Sequence, residues 1–170
     1  MTTVTVEGFR ELDAALARLS KSAGKAAMRK AGIKALEPIA EAARALAPND
    51  PATGGYDLAK SITVGTKLSK SQAKTHRRAV RDNKATVEVF AGAGPLPQAV
   101  YTEFGTSPFI NGGRFAGSQN PGISPQPFLR PAWDSGKMQV LEDLKVALWE
   151  EIQKAIGRAE RRAARAAAGG

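Results

Sequence analysis

The spacing of apolar residues predicts three amphipathic helices in this chain. The first runs from Phe9 to Leu19 and the second from about Ser22 to Leu46, with apolar positions three or four residues apart. The stripe of the second helix consists mostly of small side chains. The third helix opens at Pro131 and extends to about Ile156, and Trp133 and Trp149 are its predicted hydrophobic anchors.

A period of two predicts three short strands. They cover Thr2 to Glu7, about Ser61 to Leu68, and Ala85 to Ala91. We expect the last two to form an antiparallel hairpin with a long, basic and mobile tip, Lys67 to Lys84. The order β-α-α-β-β-loop-α predicts an α+β fold over residues 1–157, in which a small antiparallel sheet packs against two N-terminal helices and a long C-terminal helix.

The positive charge is concentrated in two segments of a chain whose net charge is +9. Seven cationic residues against one acid give +6 between Lys67 and Lys84, and five against one give +4 between Lys154 and Arg165. Such segments are typical of surfaces that face a polyanion, although a solvated loop and a solvated tail explain them more simply. Residues 158–170 form a basic alanine- and arginine-rich tail, which either stays helical or, as we expect, frays. The candidate contacts with DNA or an acidic partner are Lys74, Arg77, Arg78, Arg81 and Lys84.

The composition excludes several classes of functional site. The chain of 170 residues has no cysteine, which excludes disulfides and thiolate metal sites, and its single histidine, His76, excludes a histidine cluster. No apolar run approaches the roughly 18 residues of a membrane span, and the N-terminal sequence lacks the pattern of a signal peptide. We therefore expect a soluble protein made in a cytoplasm, with no membrane partner.

The residues that carry catalytic chemistry are not arranged in any recognisable pattern. His76 lies among cationic neighbours, with no carboxylate before it in the sequence to orient its ring, so it reads as a surface histidine. The acidic residues are not held together by their spacing, and the glycines match neither a P-loop nor the dinucleotide fingerprint. We expect no enzymatic activity, no catalytic or metal-binding residue and no cofactor.

Two compact motifs bracket a long loop in the centre of the chain. The EFGT motif, Glu103 to Thr106, precedes the loop and the PFLRPA motif, Pro127 to Ala132, follows it. The loop, Ser107 to Gln126, is rich in Gly, Pro, Asn and Ser, which predicts no regular element and favours a docking role. Glu103 either accepts backbone N–H groups and fixes its turn or anchors an interface. Arg130 either pairs with an acidic group of its own fold or meets a neighbouring subunit. The predicted interface residues are Glu103, Phe104, Gly105, Thr106, Phe109, Phe115, Phe128 and Arg130.

The order of these motifs resembles the tail-component family of long-tailed bacteriophages, also called neck or tail-completion proteins. A helix ending at Ala47-Pro48 is followed by Thr53-Gly54, by the segment from Leu58 to Ile62, and then by the two motifs and a closing helix. The resemblance covers roughly Gly8 to Ile156. Gly55 to Asp57 lengthens one connection relative to the family, and the loop, the basic tip and the tail are particular to this chain.

The resemblance implies a virion structural protein at the head–tail interface, and not an enzyme. It implies assembly in the host cytoplasm into a ring of identical copies, sixfold or twelvefold, at the neck or proximal tail. Such a ring joins head-closure (stopper) proteins to the tail terminator or tail tube, with heterologous contacts between copies. DNA in the channel, bound without sequence preference, is a further partner that the charge suggests.

Other functions stay open on the sequence alone. A small basic architectural nucleic-acid-binding protein is favoured by the isoelectric point near 10.1, but the basic residues lack interleaved aromatics and no recognition-helix motif is present. An enzyme of virion or host origin has no motif to support it. The helix from Ser135 to Ile156 is a third candidate, as a partner-binding surface, unless Leu141, Leu144 and Leu148 are buried in the chain.

Overall fold

Helices make up most of the fold, with two small antiparallel pairs of strands, so the predicted α+β class is confirmed. The computed structural model describes residues 14, 16, 17, 19–48, 58–80 and 87–168. In chain order the elements are α1 (Lys21–Leu46), α2 (Leu58–Ser61), β1 (Ile62–Gly65), α3 (Lys70–Ala79), β2 (Phe90–Ala93), α4 (Pro97–Phe104), β3 (Phe109–Ile110), a 3-10 turn (Gly113–Phe115), β4 (Gln119–Asn120) and α5 (Leu129–Ala168).

The central contact of the fold is between the two long helices, α1 and α5. They run antiparallel, because Ile39 of α1 faces Gly136 near the start of α5, while Lys34 pairs with Glu150 farther along it at 2.7 Å. Small side chains on the buried face of α1 allow the two backbones to approach closely. The buried residues of α1 are Gly24, Ala27, Ala31, Gly32, Ala35, Ile39, Ala40 and Ala43.

The boundaries of α1 follow from its flanking residues. The hydroxyl of Ser20 accepts a hydrogen bond from the Ala23 N–H at 3.4 Å, which satisfies one of the free donors of the first turn. At the other end Ala47 is extended, as expected for a residue that precedes a proline, here Pro48. The prediction of this helix is therefore confirmed to within one residue.

The main sheet is the predicted antiparallel pair, with Ile62 opposite Ala93 and Gly65 opposite Phe90. Both strands are shorter than predicted. The second is also displaced towards the C-terminus, because residues 87–89 of the predicted strand are not in β2, and residues 81–86 lie outside the described part. Ile62 of β1 and Leu58 of the preceding α2 lie in the main core, where they pack with buried residues of α1 and α5. Thus the sheet covers one end of the helix pair, and the segment that connects β1 to β2 lies at the surface.

The prediction of a mobile basic tip is wrong, because the connection between β1 and β2 contains helix α3. Ser69 begins this helix: its hydroxyl accepts the Gln72 N–H at 3.3 Å, and the Gln72 side chain accepts the Ser69 N–H at 3.0 Å. This reciprocal capping stabilises a short helix that has few apolar residues.

The N-terminal predictions fall mostly on residues that the structure does not describe. The predicted strand 2–7 lies wholly outside the described part. Of the predicted first helix, the described residues at 14, 16 and 17 are helical. Leu16 and Leu19 pack against a second small core formed by Ala27 of α1 and Ile152 of α5.

Helix α5 differs from the prediction in its length and in its buried face. It spans 40 residues and continues through residues 158–168, so the helical alternative for the tail is the one observed there, and the expected fraying is not. Alanine and arginine are strong helix formers, which keeps this end helical without packing. Trp133 and Trp149 are 48% and 45% exposed, so neither is the predicted anchor. The buried residues of α5 are Ala132, Val140, Ala147, Ile152 and Ala155.

Substitution of Gly136 tests the close approach of α1 and α5. Alanine is about 1 kcal/mol better than glycine inside a helix, but a Cβ at Gly136 overlaps the Cδ1 atom of Ile39. We expect Gly136→Ala to be neutral or destabilising in the wild type. In an Ile39→Val background, which lacks Cδ1, it should stabilise by about 1 kcal/mol relative to Ile39→Val alone in urea unfolding.

The matched control for this cycle is Gly157→Ala in the same helix. A Cβ there meets only the side chain of Arg161, at an ordinary 3.6 Å, so it should stabilise by about 1 kcal/mol in either background. Equal effects of Gly136→Ala in both backgrounds would contradict the close contact.

Candidate functional site

The two sequence motifs meet at one buried carboxylate, Glu103, at the end of α4. Its Oε2 atom accepts the backbone N–H groups of Phe128 and Leu129 at 2.8 and 2.9 Å. Its Oε1 atom accepts the N–H of Arg130 at 3.0 Å. Glu103 therefore binds the first N–H groups of α5, 25 or more residues away in the sequence.

This arrangement accounts for every donor at the N-terminus of α5 that needs a partner outside the helix. The first N–H groups of a helix have no partner within it, and here those of Leu129 and Arg130 go to Glu103. The next residue, Pro131, has no N–H. The positive end of the helix dipole adds a further favourable interaction with the carboxylate. The motif PFLRP is thus complementary to one glutamate.

The Arg130 side chain covers the solvent-facing side of Glu103. Its Nε atom donates to Glu103 Oε1 at 3.3 Å, and its terminal nitrogen donates to the Glu103 carbonyl oxygen, also at 3.3 Å. The guanidinium lies 5.1 Å from the centroid of the Phe104 ring, within range of a cation–π interaction. Of the two alternatives for Arg130, pairing within its own fold is the one observed. We call the set Glu103, Phe128, Leu129 and Arg130 the carboxylate clamp.

The pKa of the Glu103 carboxyl reflects two opposing effects. Burial alone raises this pKa, because a charged group loses its water. The hydrogen bonds from the N–H groups of Phe128, Leu129 and Arg130, together with that from the Arg130 side chain, outweigh burial and lower the pKa below its usual value. The group is therefore a carboxylate near neutral pH, which is the form that accepts all these bonds.

A turn that only glycine can form joins the clamp to the loop. Gly105 follows α4 with φ of 70° and ψ of −177°, a backbone conformation restricted to glycine. A Cβ there would lie 2.5 Å from the carbonyl oxygen of Ile123. Thr106 then pairs with Ile123 through two backbone hydrogen bonds of 2.9 and 3.2 Å. The base of the loop is consequently tied to the clamp on both sides.

The loop itself contains a short hairpin, so the prediction of no regular element is wrong. Phe109 pairs with Asn120 and Ile110 with Gln119. Adjacent residues of a strand point to opposite faces, and Phe109 and Ile110 are 51% and 69% exposed. Each face of the hairpin therefore exposes a large apolar side chain to solvent. The exposed apolar side chains of residues 104–123, which we call the hairpin surface, are Phe104, Phe109, Ile110, Phe115 and Ile123.

The structure divides the predicted interface residues into buried, half-buried and exposed positions. Glu103 and Phe128 are 3% and 0% exposed, so these two positions are corrected: they offer no side-chain surface to a neighbour and act from inside the fold. The structural alternative for Glu103 is the observed one, although it fixes a distant helix and not its own turn. Phe104, Phe109, Phe115 and Arg130 are exposed, and Gly105 and Thr106 are half-buried.

Sequence reasoning missed Ile110 and Ile123, which are as exposed as the predicted phenylalanines. A signal for the hairpin was present, because Asn-Gly at 111–112 follows two residues of high strand propensity.

The predicted basic contacts lie on one face of α3, as far as they are described. Lys74, Arg77 and Arg78 are exposed, whereas Arg81 and Lys84 lie outside the described residues. His76, on the opposite face, contacts Glu88 at 3.2 Å and packs edge-on against the Phe90 ring. A carboxylate therefore does contact this histidine, which the sequence did not indicate, and His76 links α3 to β2 and to the residues before it.

An apolar groove of about 410 Å³ lies between α1, α5 and the residues before β2. Leu141 is exposed at its edge, while Leu144 and Leu148 are half-buried and pack on the two cores. The predicted partner surface on α5 is thus in part core. The lining residues are Met28, Gly32, Ala35, Leu36, Val87, Val89, Trp133, Val140, Leu141, Leu144 and Leu148.

In the described part of the chain, no three histidine or acidic side chains cluster closely enough to hold a metal ion. Within those same residues, no helix combines the length and the apolar character needed to cross a membrane. No family model, no curated protein and no solved structure matches the chain. The function is therefore argued from the clamp, the hairpin surface and the basic faces.

Glu103→Gln tests the carboxylate clamp. The amide has one acceptor oxygen and turns its NH₂ group towards backbone donors, which leaves buried N–H groups unpaired. We expect a loss of about 3 kcal/mol at pH 7, or roughly 6–12 °C in melting temperature, measured by thermal and urea unfolding. Glu142→Gln, at an exposed position of α5, should change stability by less than about 0.5 kcal/mol.

The pH dependence of the same pair of proteins gives a second test. A carboxyl whose folded pKa is lowered stabilises the fold above its unfolded pKa, and that stabilisation is lost as the pH falls through the folded pKa. The stability difference between wild type and Glu103→Gln should therefore be full at pH 7 and shrink below the ordinary glutamate value of 4.5. A difference that stays constant down to pH 3 would show that the charge of Glu103 is unimportant.

Proposed function

We propose that this chain is a virion structural protein of the head–tail junction of a long-tailed bacteriophage. In this proposal it assembles as a sixfold or twelvefold ring and joins head-closure proteins to the tail terminator or tail tube. It acts by binding its neighbours and carries out no catalysis.

The contact between Glu103 and the start of α5 is the observation that best supports this function. The two motifs that carry the resemblance to phage tail components, EFGT and PFLRPA, form one hydrogen-bonded unit. Next to that unit, Thr106 pairs with Ile123, which holds the two ends of the loop close together. A rigid body that projects a tied loop is well suited to binding a neighbour.

The hairpin surface provides the apolar area that such a contact needs. Clustered exposed aromatic and aliphatic residues are typical of protein–protein interfaces, where aromatic side chains often supply much of the affinity. In a ring, each copy contacts its two neighbours through two different patches: a donating patch that projects onto one neighbour, and an accepting patch that receives the other neighbour. We assign the donating patch to the hairpin surface of each copy.

The basic face of α3 is proposed to meet the second kind of neighbour. Lys74, Arg77 and Arg78 repeat around the ring, so their charge forms a belt that faces either DNA in the channel or an acidic adjoining ring. His76 connects α3 to Phe90 of β2 and to Glu88 just before it, so the belt has a defined position next to the sheet.

Replacement of Phe109, Ile110 and Phe115 by serine tests the hairpin surface. These side chains are exposed in the isolated chain, so the melting temperature should stay within about 2 °C of the wild type. Ring formation, measured by size-exclusion chromatography with light scattering, and complementation of a phage lacking the protein should both be lost. Serine replacement of Met138 and Val146, equally exposed on α5, is the matched control and should preserve both.

Electron microscopy of particles assembled without this protein tests the function as a whole. DNA-filled heads beside free, full-length tails are expected, because the joining step is missing while head and tail assembly proceed separately. Joined, intact particles would refute the proposed function. The alternative, a small basic architectural nucleic-acid-binding protein, would then be the favoured function.

A further inference from the structure

The end of α5 projects beyond the rest of the described fold. The last buried residue of this helix is Ala155, and residues 158–168 are all exposed. Eleven residues of α-helix are roughly 16 Å long, at 1.5 Å per residue. This segment is therefore a helical arm, and none of its side chains contributes to a core.

All four arginines of the arm lie on one of its faces. They stand at 158, 161, 162 and 165, which is the i, i+3, i+4, i+7 spacing of a single helical stripe. At 100° per residue they occupy a sector of about 100°. Glu160, the single acid of the arm, falls outside that sector. We call this stripe the arginine face.

The arginine face has no internal partner among the residues that the structure describes. Apart from Glu160 on another side of the arm, the nearest acids along α5 are already engaged, since Glu150 pairs with Lys34 at 2.7 Å and Glu151 pairs with Lys154 at 3.1 Å. Like charges at these helical spacings repel one another by a few tenths of a kcal/mol per pair. An unpaired stripe of this kind gains stability when an external polyanion covers it.

We propose that the arginine face binds the phosphate backbone of nucleic acid without sequence preference. The planar guanidinium matches phosphate oxygens with two parallel hydrogen bonds. The stripe from Arg158 to Arg165 spans roughly 10 Å of helix axis, a length over which each strand of B-DNA carries about three phosphates. The chemistry of the stripe therefore fits one side of a duplex.

The rest of the arm argues against an anionic membrane as the partner. A helix that lies on a membrane carries large apolar side chains opposite its basic face, whereas this arm carries alanines, including Ala159, Ala163 and Ala166. Those small side chains make the arm slender, which suits a helix lying against a nucleic-acid groove about 12 Å wide. This inference does not depend on the proposed ring, since one copy suffices for binding.

The test is a salt titration of duplex DNA binding by the full-length chain, followed by fluorescence anisotropy. The variant replaces Arg161, Arg162 and Arg165 by glutamine, and a charge-matched control replaces Lys30, Arg114 and Lys137, which are also exposed. We expect the slope of log K against log salt to become less steep by about 3 in the first variant, with affinity reduced more than about tenfold. The control should keep most of the wild-type affinity and slope.

Two further measurements make the outcome decisive. Lysine at the same three positions keeps the charge, so it should preserve the slope and lose less than about tenfold in affinity. Vesicles of phosphatidylserine and phosphatidylcholine in equal amounts should bind more weakly than DNA. Equal losses in the variant and the control, no DNA binding by the wild type at 50 mM salt, or vesicle binding tighter than DNA binding would each overturn the inference. None of these outcomes bears on ring formation, which light scattering measures separately.

Discussion

A carboxylate buried at the start of a long helix is the interaction on which the rest of this structure depends. Glu103 loses most of its water, and it remains charged because three backbone N–H groups and Arg130 replace that water. These hydrogen bonds fix the position of the start of α5 relative to α4. Because α5 packs along α1, the same hydrogen bonds also connect α4, and the base of the loop that follows it, to the helix pair. A single charge thus couples the core to the hairpin surface.

The second constraint is the small size of the side chains between α1 and α5. Alanine and glycine on the buried face of α1 let the helices approach, which leaves no space at the contact for an indole ring. This explains why Trp133 and Trp149 are half-exposed even though they are the largest apolar residues of α5. Large residues such as Phe128 are buried where the helix pair meets the sheet and α4. The groove beside the helices is the result of this uneven packing.

Local signals were sufficient to predict elements that are defined by their own sequence. The long α1, the pairing of β1 with β2 and the α+β class all follow from periodicity and flanking residues. The capping residues Ser69 and Gln72 also mark the start of α3, although the high charge of this segment favours a loop. The partner of Glu103 could not be predicted in the same way. Its ligands lie 25 or more residues away and are backbone groups, so no residue type in the sequence identifies them.

The structure also changes how the positive charge acts. The sequence predicts the positive charge in a mobile tip and in a tail that frays, where the backbone around each cation would have to become ordered on binding. In the structure it lies on two helices, α3 and the end of α5, whose backbones are already ordered. Binding a polyanion then costs mainly side-chain entropy, about 0.5–1.5 kcal/mol for each immobilised arginine. Helical faces therefore hold phosphate contacts more tightly than a disordered tail of the same charge, because the spacing of the cations is set before the partner arrives.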